Sequence, residues 1–213
     1  GIREHTRFGP IAMQVNSWSP ETAMNEEKLF TVNVWTQGIN DGKKRPVMFW
    51  LHGGGFSVGA SDDPITDGKM LAQKGDIVLV SVNHRLNILG FLDLSPFGDQ
   101  YKDSANVGML DVVAALQWVN QNIRQFGGDP NNVTIFGESG GGGKVGTLMS
   151  MPAANGLFHK AIIQSGTLLN VMNKEKSTSV GKALIEELGL TKETLAEINK
   201  VPYKQLVEAG NRA

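Results

Sequence analysis

The feature that most limits what this chain can fold into is the run Ile77-Val78-Leu79-Val80, apolar at every position rather than at every second one. A strand with one face in water alternates apolar and polar residues. One that is apolar throughout must be covered on both faces, as strands of parallel sheets are. The run extends to Ile77–Asn83, and three others, Leu29–Trp35, Val47–His52 and Val133–Gly137, are likewise bounded by turn residues and rich in β-branched or aromatic side chains. A shorter fifth is Lys160–Gln164. Between the third and fourth runs, Met109, Val112, Val113, Leu116, Val119 and Ile123 recur at spacings of three and four, which predicts a helix with one buried face. Gly127-Gly128-Asp129-Pro130 is expected to end it by turn chemistry. A second helix should begin just after Ser139. The tail from Lys174 also reads as helical, with Val180, Leu184, Leu188, Leu195 and Ile198 apolar in a polar background. Strands alternating with helices predict an α/β domain, a mostly parallel central sheet flanked by helices.

The 213 residues suffice for one domain with a substantial core. Lys and Arg number 20 against 21 Asp and Glu, a net charge of −1, which offers no electrostatic basis for binding nucleic acid or an anionic membrane surface. No apolar run approaches the ~18–20 residues of a membrane span. With no cysteine, disulfides, zinc–thiolate sites and a cysteine nucleophile are excluded. That composition favours the cytoplasm, with secretion or a periplasmic location as the alternative. The 26 glycines are clustered, at Gly53-Gly54-Gly55 and Gly140-Gly141-Gly142-Gly143 among other places, where backbone is expected to come close to a ligand.

Two of these clusters carry chemistry. Gly137-Glu138-Ser139-Gly140-Gly141 is a G-x-S-x-G pattern between a predicted strand and a predicted helix. A strand–turn–helix with a serine at its tip is the setting in which a serine becomes an exposed nucleophile. Outside that context the pentapeptide would be only a glycine-rich turn packing a helix on a sheet. The second cluster, His52-Gly53-Gly54-Gly55-Phe56, follows the strand Val47–Leu51 and exposes backbone N–H groups that no side chain shields. Such donors can hold the oxyanion of a tetrahedral intermediate. A phosphate cradle would want Lys-Ser or Lys-Thr after the glycines, and here Phe56 follows.

With these motifs the chain resembles the type-B carboxylesterase and cholinesterase family, which includes bacterial para-nitrobenzyl esterases. The likeness runs to about Gly166. It includes Leu29–Trp35, the His52–Phe56 run, Val82-Asn83-His84-Arg85-Leu86, Asn106-Val107-Gly108-Met109-Leu110-Asp111, Phe126-Gly127-Gly128-Asp129-Pro130 and Phe158-His159-Lys160-Ala161-Ile162. The resemblance implies an α/β-hydrolase fold, here incomplete on its C-terminal side. It implies a serine esterase that hydrolyses small carboxylic esters through an acyl-enzyme on Ser139, with no cofactor and no metal. The N–H groups of Gly54, Gly55 and Gly140 would form the oxyanion hole. Glu138 and Ser165 fall where the family has a buried carboxylate and a serine near the catalytic histidine. The chain also departs from the pattern. Glu26-Glu27-Lys28 stands where the family often has an acidic-Asp-Cys segment, Gly140 replaces the usual alanine, and His84 replaces a tyrosine.

In this family the order is serine, acid, histidine, and both partners of the serine come well after it. His5, His52, His84 and His159 therefore read as structural or solvent-facing, and no complete triad is expected within residues 1–213. The whole chain is expected to be a partial α/β-hydrolase domain, with 174–213 a helical segment opening the missing half. The sheet is expected to stop at Lys160–Gln164 with an open edge, where a second polypeptide or a C-terminal half would complete it. A catalytically silent, neuroligin-like binding relative and an inactive isolated fragment are the alternatives. Trp35, Trp50 and Trp118 read as packing residues, and Arg85 with Asp111 as a structural ion pair.

Overall fold

The computed structural model describes residues 7–15, 23–167 and 170–213; His5 lies outside them. Five strands form one sheet: β1 (Val32–Trp35), β2 (Arg45–Leu51), β3 (Val78–Val82), β4 (Gly128–Glu138) and β5 (Lys160–Gln164), in the order β1-β3-β2-β4-β5. The pairs β3–β2, β2–β4 and β4–β5 are parallel, and only β1 runs antiparallel, against β3. All five residues of β3 are buried; four are apolar, and the fifth, Ser81, donates its hydroxyl to the Ser61 carbonyl at 3.2 Å.

The helices are α1 (Lys69–Gly75), α2 (Asn87–Phe91), α3 (Val107–Asn122), α4 (Gly140–Ser150), α5 (Lys174–Glu187) and α6 (Tyr203–Arg212). The predicted stripe of α3, Met109, Val112, Val113, Leu116 and Val119, is buried and joins Val47, Phe49, Val80, Val133 and Ile135 in the main core. Ile123 falls in the 3₁₀ turn that follows. Each of these side chains contributes ~1.5–3 kcal/mol by leaving water. Arg85 and Asp111 make a two-pronged ion pair, Nε to Oδ2 at 2.9 Å and Nη2 to Oδ1 at 2.6 Å, that ties the chain after β3 to α3.

Two boundaries differ from expectation by three residues or more. β1 begins at Val32 rather than Leu29, because Thr31 N–H closes a tight turn on the Leu29 carbonyl at 2.7 Å. Of the predicted turn, only Gly127, in the left-handed region at φ 72°, turns the chain; Gly128–Pro130 already belong to β4. Pro130 is tolerated there because the β2–β4 register shifts between Arg45 and Val47, and pairing with β5 starts only at Thr134. Segment 174–213 builds a second small core, in which Leu184, Ile185, Leu195 and Ala209 pack with Leu94, Ile88 and Leu92.

Candidate active site

β4 ends at Glu138 and α4 starts at Gly140, so Ser139 alone turns the chain from sheet to helix. Its backbone sits at φ 55°, ψ −122°, a conformation costly for any residue with a β-carbon. The surroundings hold it there. Ser139 N–H donates to the Gln164 carbonyl at 2.8 Å, and its own carbonyl accepts from Gly143 N–H at 3.1 Å. Glycine is required behind it because α4 lies directly on backbone. A β-carbon at Gly141 would collide with the Leu51 carbonyl oxygen, and one at Gly137 would come within 2.5 Å of the Gly141 carbonyl carbon. The serine is exposed, at the carboxyl end of parallel strands where such folds place their sites.

The glycine run leaves β2 at the same end of the sheet. Gly54, at φ 92°, turns it, and its carbonyl accepts from Ser57 N–H at 3.0 Å and Val58 N–H at 3.1 Å. Gly55 and Phe56 follow, also with positive φ. The run lies against the start of α4: a β-carbon on Gly140 would be 2.6 Å from the Gly55 nitrogen and 2.9 Å from its Cα. Among the described residues, the N–H groups of Gly54, Gly55 and Gly140 donate to no backbone acceptor. The fold thus brings together Ser139 and the three glycines named from sequence. Gly140→Ala should push the run outward by several tenths of an ångström and lower kcat on a chromogenic ester about tenfold, since sub-ångström displacement of reacting groups is costly. An unchanged kcat would show that the run yields freely.

Glu138 lies beside Gly53, its Oε2 3.4 Å from where a β-carbon of that glycine would be. Ser165, at φ 53°, begins the turn after β5, and a β-carbon on Gly166 would collide with the Ser139 carbonyl. Both Glu138 and Ser165 are exposed rather than buried, one at the end of β4 and the other just after the edge strand β5.

The histidines among the described residues are occupied elsewhere. His159 Nδ1 accepts from Val133 N–H at 3.2 Å. His52 and His84 are buried and stacked, centroids 5.0 Å apart, and each directs Nδ1 at a carbonyl, Gly53 and Arg85 respectively, both at 2.8 Å. A carbonyl partner requires the proton on Nδ1, so both rings are held in one neutral tautomer. Burial, reinforced by the nearby Lys144, keeps them well below the usual histidine range.

Lys144 is the residue that sequence reasoning missed. It is fully buried on α4, where burial pushes its amino group down to about 7. The signal was present: Gly141, Lys144, Val145 and Leu148 follow the i, i+3, i+4, i+7 spacing of a buried helical face, with a lysine among them. Trp50 packs on Phe136 and Trp118 on Phe126, with Trp35 next to Phe8, as packing residues would.

Residues 1–212 match the model of the carboxylesterase family. The chain is similar to the para-nitrobenzyl esterase of Bacillus subtilis (strain 168), 41% identical over 216 residues, which cover 99% of this chain and 43% of that protein. It is also similar to the fumonisin B1 esterase of Sphingopyxis macrogoltabida, 41% identical over 78% of this chain and 31% of that one. Among solved structures it superposes on a thermophilic PNB esterase with a TM-score of 0.89 at 40% identity, covering 97% of this chain and 43% of that one. An esterase from Clostridium hathewayi, described as hydrolysing aliphatic aromatic polyesters, gives a TM-score of 0.82 at 44% identity over 100% of this chain and 42% of that one. The chain therefore spans less than half the length of the relatives it matches.

Proposed function

The chain belongs to the carboxylesterase family, and from that premise we propose that it forms the nucleophile-bearing part of a serine esterase acting on small carboxylic esters. One observation carries the reading: the strained, exposed Ser139 stands where the backbone of Gly55 abuts Gly140. In the reaction Ser139 Oγ attacks the ester carbonyl carbon and gives its proton to a histidine base. The carbonyl oxygen becomes an oxyanion on the N–H groups of Gly54, Gly55 and Gly140, the last at the positive end of α4. Collapse breaks the C–O bond, and the histidine returns the proton to the departing alcohol. Water, activated by the same base, then hydrolyses the acyl-serine to the free acid.

The histidine and its orienting acid come from outside residues 1–213, from a C-terminal half or a second polypeptide. His52, His84 and His159 are all committed to carbonyl or N–H partners elsewhere. Glu138 and Ser165 stand beside the nucleophile, where they would border that histidine. A chain without cysteine suits a cytoplasmic enzyme. Among the described residues no helix is long and apolar enough to cross a membrane.

The test is turnover of a short-chain p-nitrophenyl ester by the complete polypeptide, with covalent capture by a fluorophosphonate read by mass spectrometry. The expected result is turnover that disappears as Ser139 alone gains the phosphonyl group. Capture at another residue with parallel loss of activity would sink the assignment, and so would absence of both turnover and capture.

A further inference from the structure

A buried lysine without a counter-ion needs a reason. Lys144 is 0% exposed, and among the described residues no carboxylate offsets its charge; burial is what shifts it. An apolar residue of similar volume would be cheaper at such a place, because an uncompensated charge in a dry interior is strongly unfavourable. Its contacts supply the reason. Nζ donates to the His52 carbonyl at 2.9 Å and lies 5.5 Å from the centroid of the Phe56 ring. His52 is the residue before the glycine run and Phe56 the residue after it. Lys144 is borne by α4, whose first N–H is that of Gly140. One amino group thus touches both ends of the donor run from the helix that carries the third donor. Among the described residues, the titratable groups near it are His52, just after β2, and His84, after β3, both neutral. Its neighbours on the buried face of α4 are Gly141, Val145 and Leu148.

We propose that Lys144 is the positioning residue of the oxyanion hole, clamping the Gly53–Gly55 run through the His52 carbonyl and the Phe56 ring so that its N–H groups stay aligned with that of Gly140. The proposal rests on the serine-esterase reading. Both the amine and the ammonium donate to a carbonyl, so the clamp exists in either form; the ammonium adds attraction for the Phe56 face. The carbonyl of His52 and the N–H of Gly54 lie within the same short stretch of chain, which sets the amino group within about 10 Å of an oxyanion. A negative charge there should therefore raise the proton affinity of Lys144 by about one pH unit, and by reciprocity the ammonium should stabilise the oxyanion.

The experiment compares Lys144→Met with wild type in the complete polypeptide. The expected result is a fall in kcat of about 10²-fold, the cost of losing an oxyanion donor, with KM changed less than twofold. The thermal midpoint should be no lower than wild type, because an unpaired buried cation has been removed. An unchanged kcat, or an effect confined to KM, overturns the proposal. Should the methionine variant fail to fold, the wild type decides by carbon NMR of ε-labelled lysine. The Lys144 signal should titrate near neutrality and move up by about one unit when an alkylboronic acid caps Ser139; a signal that does not move overturns it. Absence of both turnover and boronate capture in wild type would instead refute the esterase reading, and this inference with it.

Discussion

Ser139→Gly should abolish ester turnover and, at the same time, make the protein more stable. The loss of activity follows from removing the attacking oxygen, an effect of about 10⁶-fold where a serine nucleophile has been deleted from a comparable site. The gain follows from the backbone. At φ 55° and ψ −122°, Ser139 occupies a region that L-residues avoid, at a cost of ~1–3 kcal/mol, whereas glycine adopts it freely. Against this, glycine makes the unfolded chain more flexible, which takes back ~0.5–1 kcal/mol. The balance is a stabilisation of about 1 kcal/mol, or ~2–4 °C in thermal midpoint for a domain of this size. Ser139→Ala is the control, because it loses the oxygen but keeps the β-carbon in the strained position. Urea unfolding of the three proteins decides the matter: glycine above alanine places the strain at residue 139. Equal stabilities would mean that the turn relaxes at no cost once the hydroxyl is gone.

The strained corner at Ser139 is legible in the amino-acid sequence, because a serine between glycines after a strand has few other uses. The sheet is legible as well, since uninterrupted apolar runs admit few arrangements, and Lys160–Gln164 coincides with β5 residue for residue. α1 and α2 are not legible. Seven and five residues are too few for a helical period to stand out, and both are set by tertiary contacts rather than propensity. Gly128–Pro130 reads as a turn because glycine, aspartate and proline usually make one, and a shift in strand register overrides that local preference. At the site, residue types and spacing name Ser139 and the glycines. How closely Gly55 approaches Gly140 depends on how α4 lies across β2, a fact of packing. Lys144 hides for a different reason: lysine ordinarily faces water, and only its helical spacing with Val145 and Leu148 contradicts that.

The three buried bases beneath the glycine run should make stability climb steadily with pH from mildly acidic conditions to about pH 10. Lys144 is shifted from its ordinary 10.5 to about 7 in the fold. Between those values the unfolded chain holds a proton that the folded one does not, so raising the pH favours folding. The penalty is complete below pH 7 and gone above 10.5, and a shift of this size is worth on the order of 5 kcal/mol. His52 and His84 extend the trend downward. Their folded values lie well below 6.5, so in more acidic solution the unfolded state gains protons the buried rings refuse. The lowered carboxyl of Asp93 works in the same direction in acid. Two groups oppose it: burial raises Glu26, which costs stability just above the carboxylate range, and raises Tyr203, which does so above pH 10. Neither acts between pH 7 and 10, so Lys144 dominates there. Chemical denaturation across that interval should show the midpoint rising in wild type and flat in Lys144→Met. A slope that survives the substitution would assign the titration to another group, while loss of the slope together with the fall in kcat would tie the buried amine to both stability and catalysis.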